Sequence, residues 1–166
     1  MSKITNFKGL LIHQLRDLLS SAKQMSMIVP KMQELAQDKK LKNVFGERAE
    51  SCEQHVRLIT ECLESLDAPT TPETCQAMVG LITEGNHLLE SVADLEVRDA
   101  ALIVTSQRIQ HYEIAGYGTA KSHAEQLDIR SVAEKLDVIL KQEKKMDKKL
   151  SKIADSYVNE KAMATA

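Results

Sequence analysis

Acidic side chains stand where the apolar stripes of this chain should continue. Over residues 128–157, Ile129, Val132, Leu136, Ile139, Leu140, Leu150, Ile153, Ala154 and Tyr157 share one face at about 100° per residue, and Glu143 and Asp147 fall in its middle. Over residues 95–123, Glu113 lies on the arc of Leu102, Ile103, Ile109 and Tyr117. Ionised carboxylates are expensive to bury, so several converging on one interior need a metal, an organic cation or shared protons.

Two other side chains bear on that chemistry. His55 points toward the inner edge of the stripe formed by Leu41, Phe45, Cys52, Val56, Ile59, Leu63 and Leu66, and Arg48 falls near its middle. If the first two helices turn near residue 38 and the last two near 126, His55, Glu113 and Glu143 share a depth, with Asp147 one turn along. Helical bundles build carboxylate metal sites from such groups, usually with Glu-x-x-His on two of the helices. That motif is absent here: Glu50 precedes Glu53, Glu143 precedes Met146, and the level-matched position on the first helix is Ala22. One His and three carboxylates could hold a single Fe or Mn ion, or no metal at all. Arg48 offers an alternative, a buried guanidinium paired with Glu113, Glu143 or Asp147. A third reading has the register leave the acids exposed.

Other polar candidates carry less. Glu50 projects off the apolar stripe and Glu53 sits at its margin, His13, His87 and His123 sit at or beyond the edges of theirs, and His111 reads as a boundary residue that could alternatively support Glu113. The run KQEKKMDKK at 141–149 reads as a solvated face. Nucleophile elbow, phosphate loop and cysteine-based zinc spacing are all missing.

The elements that would position these groups are helical. The chain has 166 residues, 3% aromatic content, no Trp and a net charge of −2, with Leu, Ala, Ile, Met, Glu, Lys and Gln prominent. Cys52, Cys62 and Cys75 lack CxxC spacing and read as buried thiols of a reducing compartment. With no long apolar run and no signal core at the N-terminus, a cytoplasmic, membrane-free protein is expected, and the near-neutral charge argues against nucleic acid as a partner. A first helix starts after Thr5 or Asn6 and kinks or breaks at Pro30. The second covers 41–66, a shorter one 73–92, and two more 95–123 and 128–157, after a proline-flanked loop at 67–72. Residues 158–166 are expected to form a flexible tail beyond one domain at 1–157. No strand alternation appears, and four long amphipathic helices predict an all-α four-helix bundle with the short helix in the connection.

The strings MVGLITEG (78–85), RDAALI (98–103), HYEIAGYGT (111–119), AEQL (124–127) and EKKMDKKL (143–150) resemble the YciF-like family of bacterial ferritin-like proteins. IHQLRDLLS (12–20) and PKM (30–32) are similar to that family's first helix and its kink. The resemblance spans about residues 5 to 157. It implies a ferritin-like up-down-down-up bundle with the short helix in the crossover, a homodimer, a bacterial cytoplasmic location and a part in general stress responses. It carries Glu113, Glu143 and Asp147 over as candidate ligands, whereas His55 stands where relatives usually have Gln. Two positions depart from the family pattern: an inward Glu has become Ala22, and a frequent His has become Arg48. These departures point to a degenerate site in a non-catalytic structural or interaction module with an unknown protein partner. The alternative is a metal-binding redox or peroxide-related protein using His55, Glu113, Glu143 and Asp147.

Overall fold

In a computed structural model, which describes residues 3–164, the helices are α1 Phe7–Leu35, α2 Lys39–Ser65, α3 Gln76–Ser91, α4 Leu95–Gln126 and α5 Arg130–Ile153. A π-helical turn, Ala154–Val158, and a short α6, Asn159–Met163, complete the chain; residues 1–2 of the expected domain and 165–166 of the expected tail lie outside the described part. Short polar side chains start three of the helices. Asn6 accepts from Gly9 N at 2.7 Å, Asp38 from Lys40 N and Leu41 N, and Asp94 from Glu96 N and Val97 N. Both α2 and α4 end on an aspartate in the left-handed region, Asp67 at φ 54° and Asp128 at φ 57°. There Ala68 N bonds Leu63 O and Ile129 N bonds Ala124 O, closing the last turns.

Polar contacts fix the topology. Buried Asp99, at the start of α4, accepts from Gln37 N and Asp38 N at 2.8 Å each, while Tyr112 donates to Asp17 at 2.8 Å. α4 therefore runs antiparallel to α1. Glu47 pairs with Lys149 and Glu61 with Lys135, so α5 runs antiparallel to α2. The result is an up-down-down-up bundle whose long connection carries α3, the ferritin-like arrangement.

The apolar core comes in two parts. One holds Met25, Val29, Phe45, Leu102, Ile109 and Leu150; the other holds Leu15, Ile59, Tyr117, Val132 and Leu136. Between them every long helix of the bundle contributes a buried polar residue: Ser21, Arg48 and His55, Glu113, and Glu143.

Of the kink or break expected at Pro30, the break does not occur: α1 continues to Leu35, with the ring exposed and Val29 and Met32 buried on either side of it. The short helix begins at Gln76, not near residue 73. The chain beyond Tyr157 stays helical to Met163, with Val158 buried. The wide turn brings Tyr157 to Asp38, whose carboxylate accepts its hydroxyl at 2.9 Å, and Lys40 and Lys161 sit over its ring.

α3 lies on α4 through Gly85, where an added Cβ would stand 2.3 Å from Thr105 Cγ2, whereas a Cβ at Gly80 meets nothing within 4 Å. Gly80→Ala is expected to raise stability by about 0.5–1 kcal/mol through helix propensity. Gly85→Ala should lower it by about 1–2 kcal/mol, because the β-branched Thr105 cannot swing aside. Paired thermal melts check the opposite signs.

Candidate functional site

Arg48 sits on the α2 stripe Leu41, Phe45, Cys52 and Ile59, with its stem enclosed by core on both sides. Its guanidinium spans two helices. Nη1 donates to Glu143 Oε2 on α5 and Nη2 to Glu113 Oε2 on α4, each at 2.7 Å, and all three side chains are 1–2% exposed. From α1, Ser21 Oγ donates to Glu113 Oε1 at 3.1 Å. Four helices are thus tied at one level by charge-assisted bonds, the strong kind in a low-dielectric interior.

His55 closes the remaining side. Its Nδ1 lies 3.5 Å from Glu143 Oε1, and its Nε2 lies 2.7 Å from Gln142 Oε1. Gln142 uses its amide nitrogen to donate to Gln54 at 3.0 Å, so its oxygen must accept from His55. The ring is therefore protonated on Nε2. Burial holds its pKa below the usual value despite the opposing pull of Glu143 and Gln142, so the imidazole is neutral.

Charge is then one cation against two carboxylates. Burial first, and the facing Glu143 second, push the Glu113 carboxyl up to about 7, although Arg48 and Ser21 pull it back. For Arg48, burial would lower the pKa, but the two carboxylates outweigh it and hold the guanidinium above its ordinary value. Glu113 is therefore only partly ionised at neutral pH, beside a fixed cation.

The structure brings Glu113, Glu143, His55 and Arg48 together and leaves Asp147 out. Asp147 is half-buried at the α4–α5 seam, accepting from Gln107 Nε2 at 2.9 Å, with exposed His111 at 3.4 Å. One turn beyond Glu143 the stripe has rotated far enough for a carboxylate to reach the bundle edge. The donor set does not suit a metal ion. The space between Glu113 and Glu143 is taken by a guanidinium that carries their charge, and no group of three or more His, Cys, Asp or Glu side chains among the described residues is arranged to hold a metal. Ala22, which is buried, supplies no ligand from α1. The three thiols are buried and free, with burial pushing Cys52 up to about 12 and Cys62 up to about 11, so neither is a nucleophile at neutral pH. His13 pairs with Glu73 at 3.0 Å, far along α1, and His123 packs against Phe7.

Ser21 escaped the reading of the sequence, as did the Gln54–Gln142–His55 chain. Serine beside Ala22, three residues after Leu18 on the inner arc, was the available signal. Gln110, wholly buried one turn before Glu113, has neither end of its amide bonded among the described residues, and Arg48 Nε and Tyr117 Oη share that condition. Internal water is the usual partner of such atoms.

The fold and the site together define a class: a ferritin-like four-helix protein whose interior cation is its own arginine. Residues 6–163 match the family model described as a domain of unknown function, DUF892, and the chain belongs to this YciF-like family. It is 40% identical to Protein YciF of Escherichia coli K12 over 152 residues, 91% of this chain and 92% of that one. The crystal structure of the E. coli stress protein YciF superposes with a TM-score of 0.88 at 37% identity, covering 93% of this chain and 98% of the other. YcfI of Rhodopseudomonas palustris, whose description proposes a structural role, matches with a TM-score of 0.87 at 31% identity over 90% of this chain and 95% of its own. A Xanthomonas campestris protein at 20% identity shares the fold, with a TM-score of 0.74 over 92% of this chain and 94% of that one. No helix among the described residues is long and apolar enough to cross a membrane.

Proposed function

We propose that this chain is a non-catalytic, stress-associated structural or interaction module, in which Arg48 replaces the metal that a carboxylate-lined bundle would otherwise need. The observation that carries this reading is the pair of 2.7 Å bonds from one guanidinium to Glu113 and Glu143. A fully charged, planar donor between two acids supplies the positive charge and fills the space that a shared ion would need. The buried Ser21 and the neutral His55 complete a layer that locks four helices in register, a task with no need of substrate access. The stress description of the E. coli relative and the structural description of the R. palustris relative support the same role.

Metal analysis tests it. Protein purified without chelators is expected to carry far less than one Fe or Mn per chain, and added Mn(II) or Fe(II) should leave the melting temperature unchanged. Stoichiometric metal, with anomalous scattering located between Glu113 and Glu143, would replace this reading with a metal-dependent one.

A further inference from the structure

The outward face of α5 concentrates charge that the chain-wide balance of −2 averages away. Lys141, Lys144, Lys145, Lys148, Lys149 and Lys152 alone line a shallow surface depression. Their spacing forms two parallel ridges, 141/145/149 and 144/148/152, each stepping by one helical turn. The core-facing positions between them, Glu143, Met146 and Leu150, fix how the helix is rolled, so the lysines cannot turn inward. Two of the six have partners: Lys141 with Asp137 and Lys149 with Glu47. Lys144, Lys145, Lys148 and Lys152 are exposed and make no ion pair among the described residues.

We propose that this double lysine ridge is a docking surface for the phosphodiester backbone of duplex nucleic acid, bound without sequence preference. Four residues advance about 6 Å along a helix, so each ridge is a row of regularly spaced cations able to neutralise several phosphates of a duplex. Nothing on the face reads bases, since it carries no Asn, Gln or Arg for base edges. The neighbouring ring, Tyr157, is covered by Lys40 and Lys161 and cannot stack on a single-stranded base. A membrane surface is disfavoured because the one large apolar side chain exposed on α5 is Val138, at one end of the ridge.

The test is fluorescence anisotropy of a labelled 20-base-pair DNA duplex, titrated with the full chain across a salt series. Binding is expected at low salt, with log Kobs falling against log[salt] at a slope of about −3 to −4, as four unpaired lysines require. The quadruple variant K144Q/K145Q/K148Q/K152Q should bind more than about tenfold more weakly at 50 mM salt while melting like the parent. The control variant K23Q/K31Q, changed on exposed positions of α1, should bind as the parent does. Four results would overturn the proposal: no duplex binding at 50 mM salt, equal binding by the quadruple variant, equal loss in the control, or binding to poly-glutamate or anionic vesicles as tight as to duplex.

Discussion

Arg48→Met is expected to lower the unfolding free energy by about 3–5 kcal/mol, the usual loss when one partner of a buried ionic cluster is removed. Methionine keeps most of the stem volume, so the loss isolates charge from packing. Without the guanidinium, Glu113 and Glu143 face one another across an interior where each is 2% exposed. They must then repel, take up a proton or draw water in. Glu113→Gln added to Arg48→Met should recover part of the loss, because an amide can donate to Glu143 where a carboxylate cannot. Lower pH should act in the same direction, so the single variant is expected to regain stability near pH 5. Urea unfolding of the two variants and the parent at pH 5 and pH 7 reads all of this. An Arg48→Met chain within 1 kcal/mol of the parent at both pH values would show that the cation does not hold the layer.

How far the sequence foretold this layer depended on how tightly each residue was constrained by its helix. Glu113 and Glu143 lie at the centres of their stripes, flanked by Ile109 and Tyr117 and by Leu140 and Leu150, so a helical period alone places them inside. Arg48 is fixed in the same way by Phe45 and Cys52. The all-helical bundle, the cap at Asn6 and the short helix in the crossover follow from the same local rules. Asp147 shows where periodicity stops working. Four residues on from Glu143 it sits about 40° round the helix, and whether that means interior or seam is set by how α5 rolls against α4. Gln107 reaching across to Asp147 is a tertiary fact with no local signature. Pro30 is similar: its cost depends on facing solvent, which the sequence of α1 alone does not state. The π turn at Ala154–Val158 depends on Tyr157 finding Asp38 across 119 positions of chain.

The raised pKa of Glu113 should make the parent chain's stability depend on pH in an unusual direction. Most structural carboxylates have lowered pKa values in the folded state, as Asp38 does here: the backbone N–H of Leu41 and the Tyr157 hydroxyl favour its ionised form and outweigh burial. Their stabilisation is present above the unfolded pKa and is lost on acidification. Glu113 runs the other way. Its folded pKa is raised from 4.5 to about 7, so between those values the native chain binds more protons than the unfolded one. Its contribution is full below about pH 4.5 and fades as pH rises through 7, a swing of roughly 3 kcal/mol if it acted alone. Glu113→Gln removes that titration while keeping the shape, and Gln can still accept from Arg48. The expected result is that the variant loses the downward slope of stability between pH 5 and pH 7 and overtakes the parent toward neutrality. Ser21→Ala should do the reverse. It removes a donor to the ionised form of Glu113, lifts the carboxyl further and steepens the slope. Equilibrium unfolding in urea at half-unit pH steps separates the three curves. Parallel curves for parent and Glu113→Gln would mean that both acids stay ionised beside Arg48, leaving a permanent excess negative charge in the bundle centre.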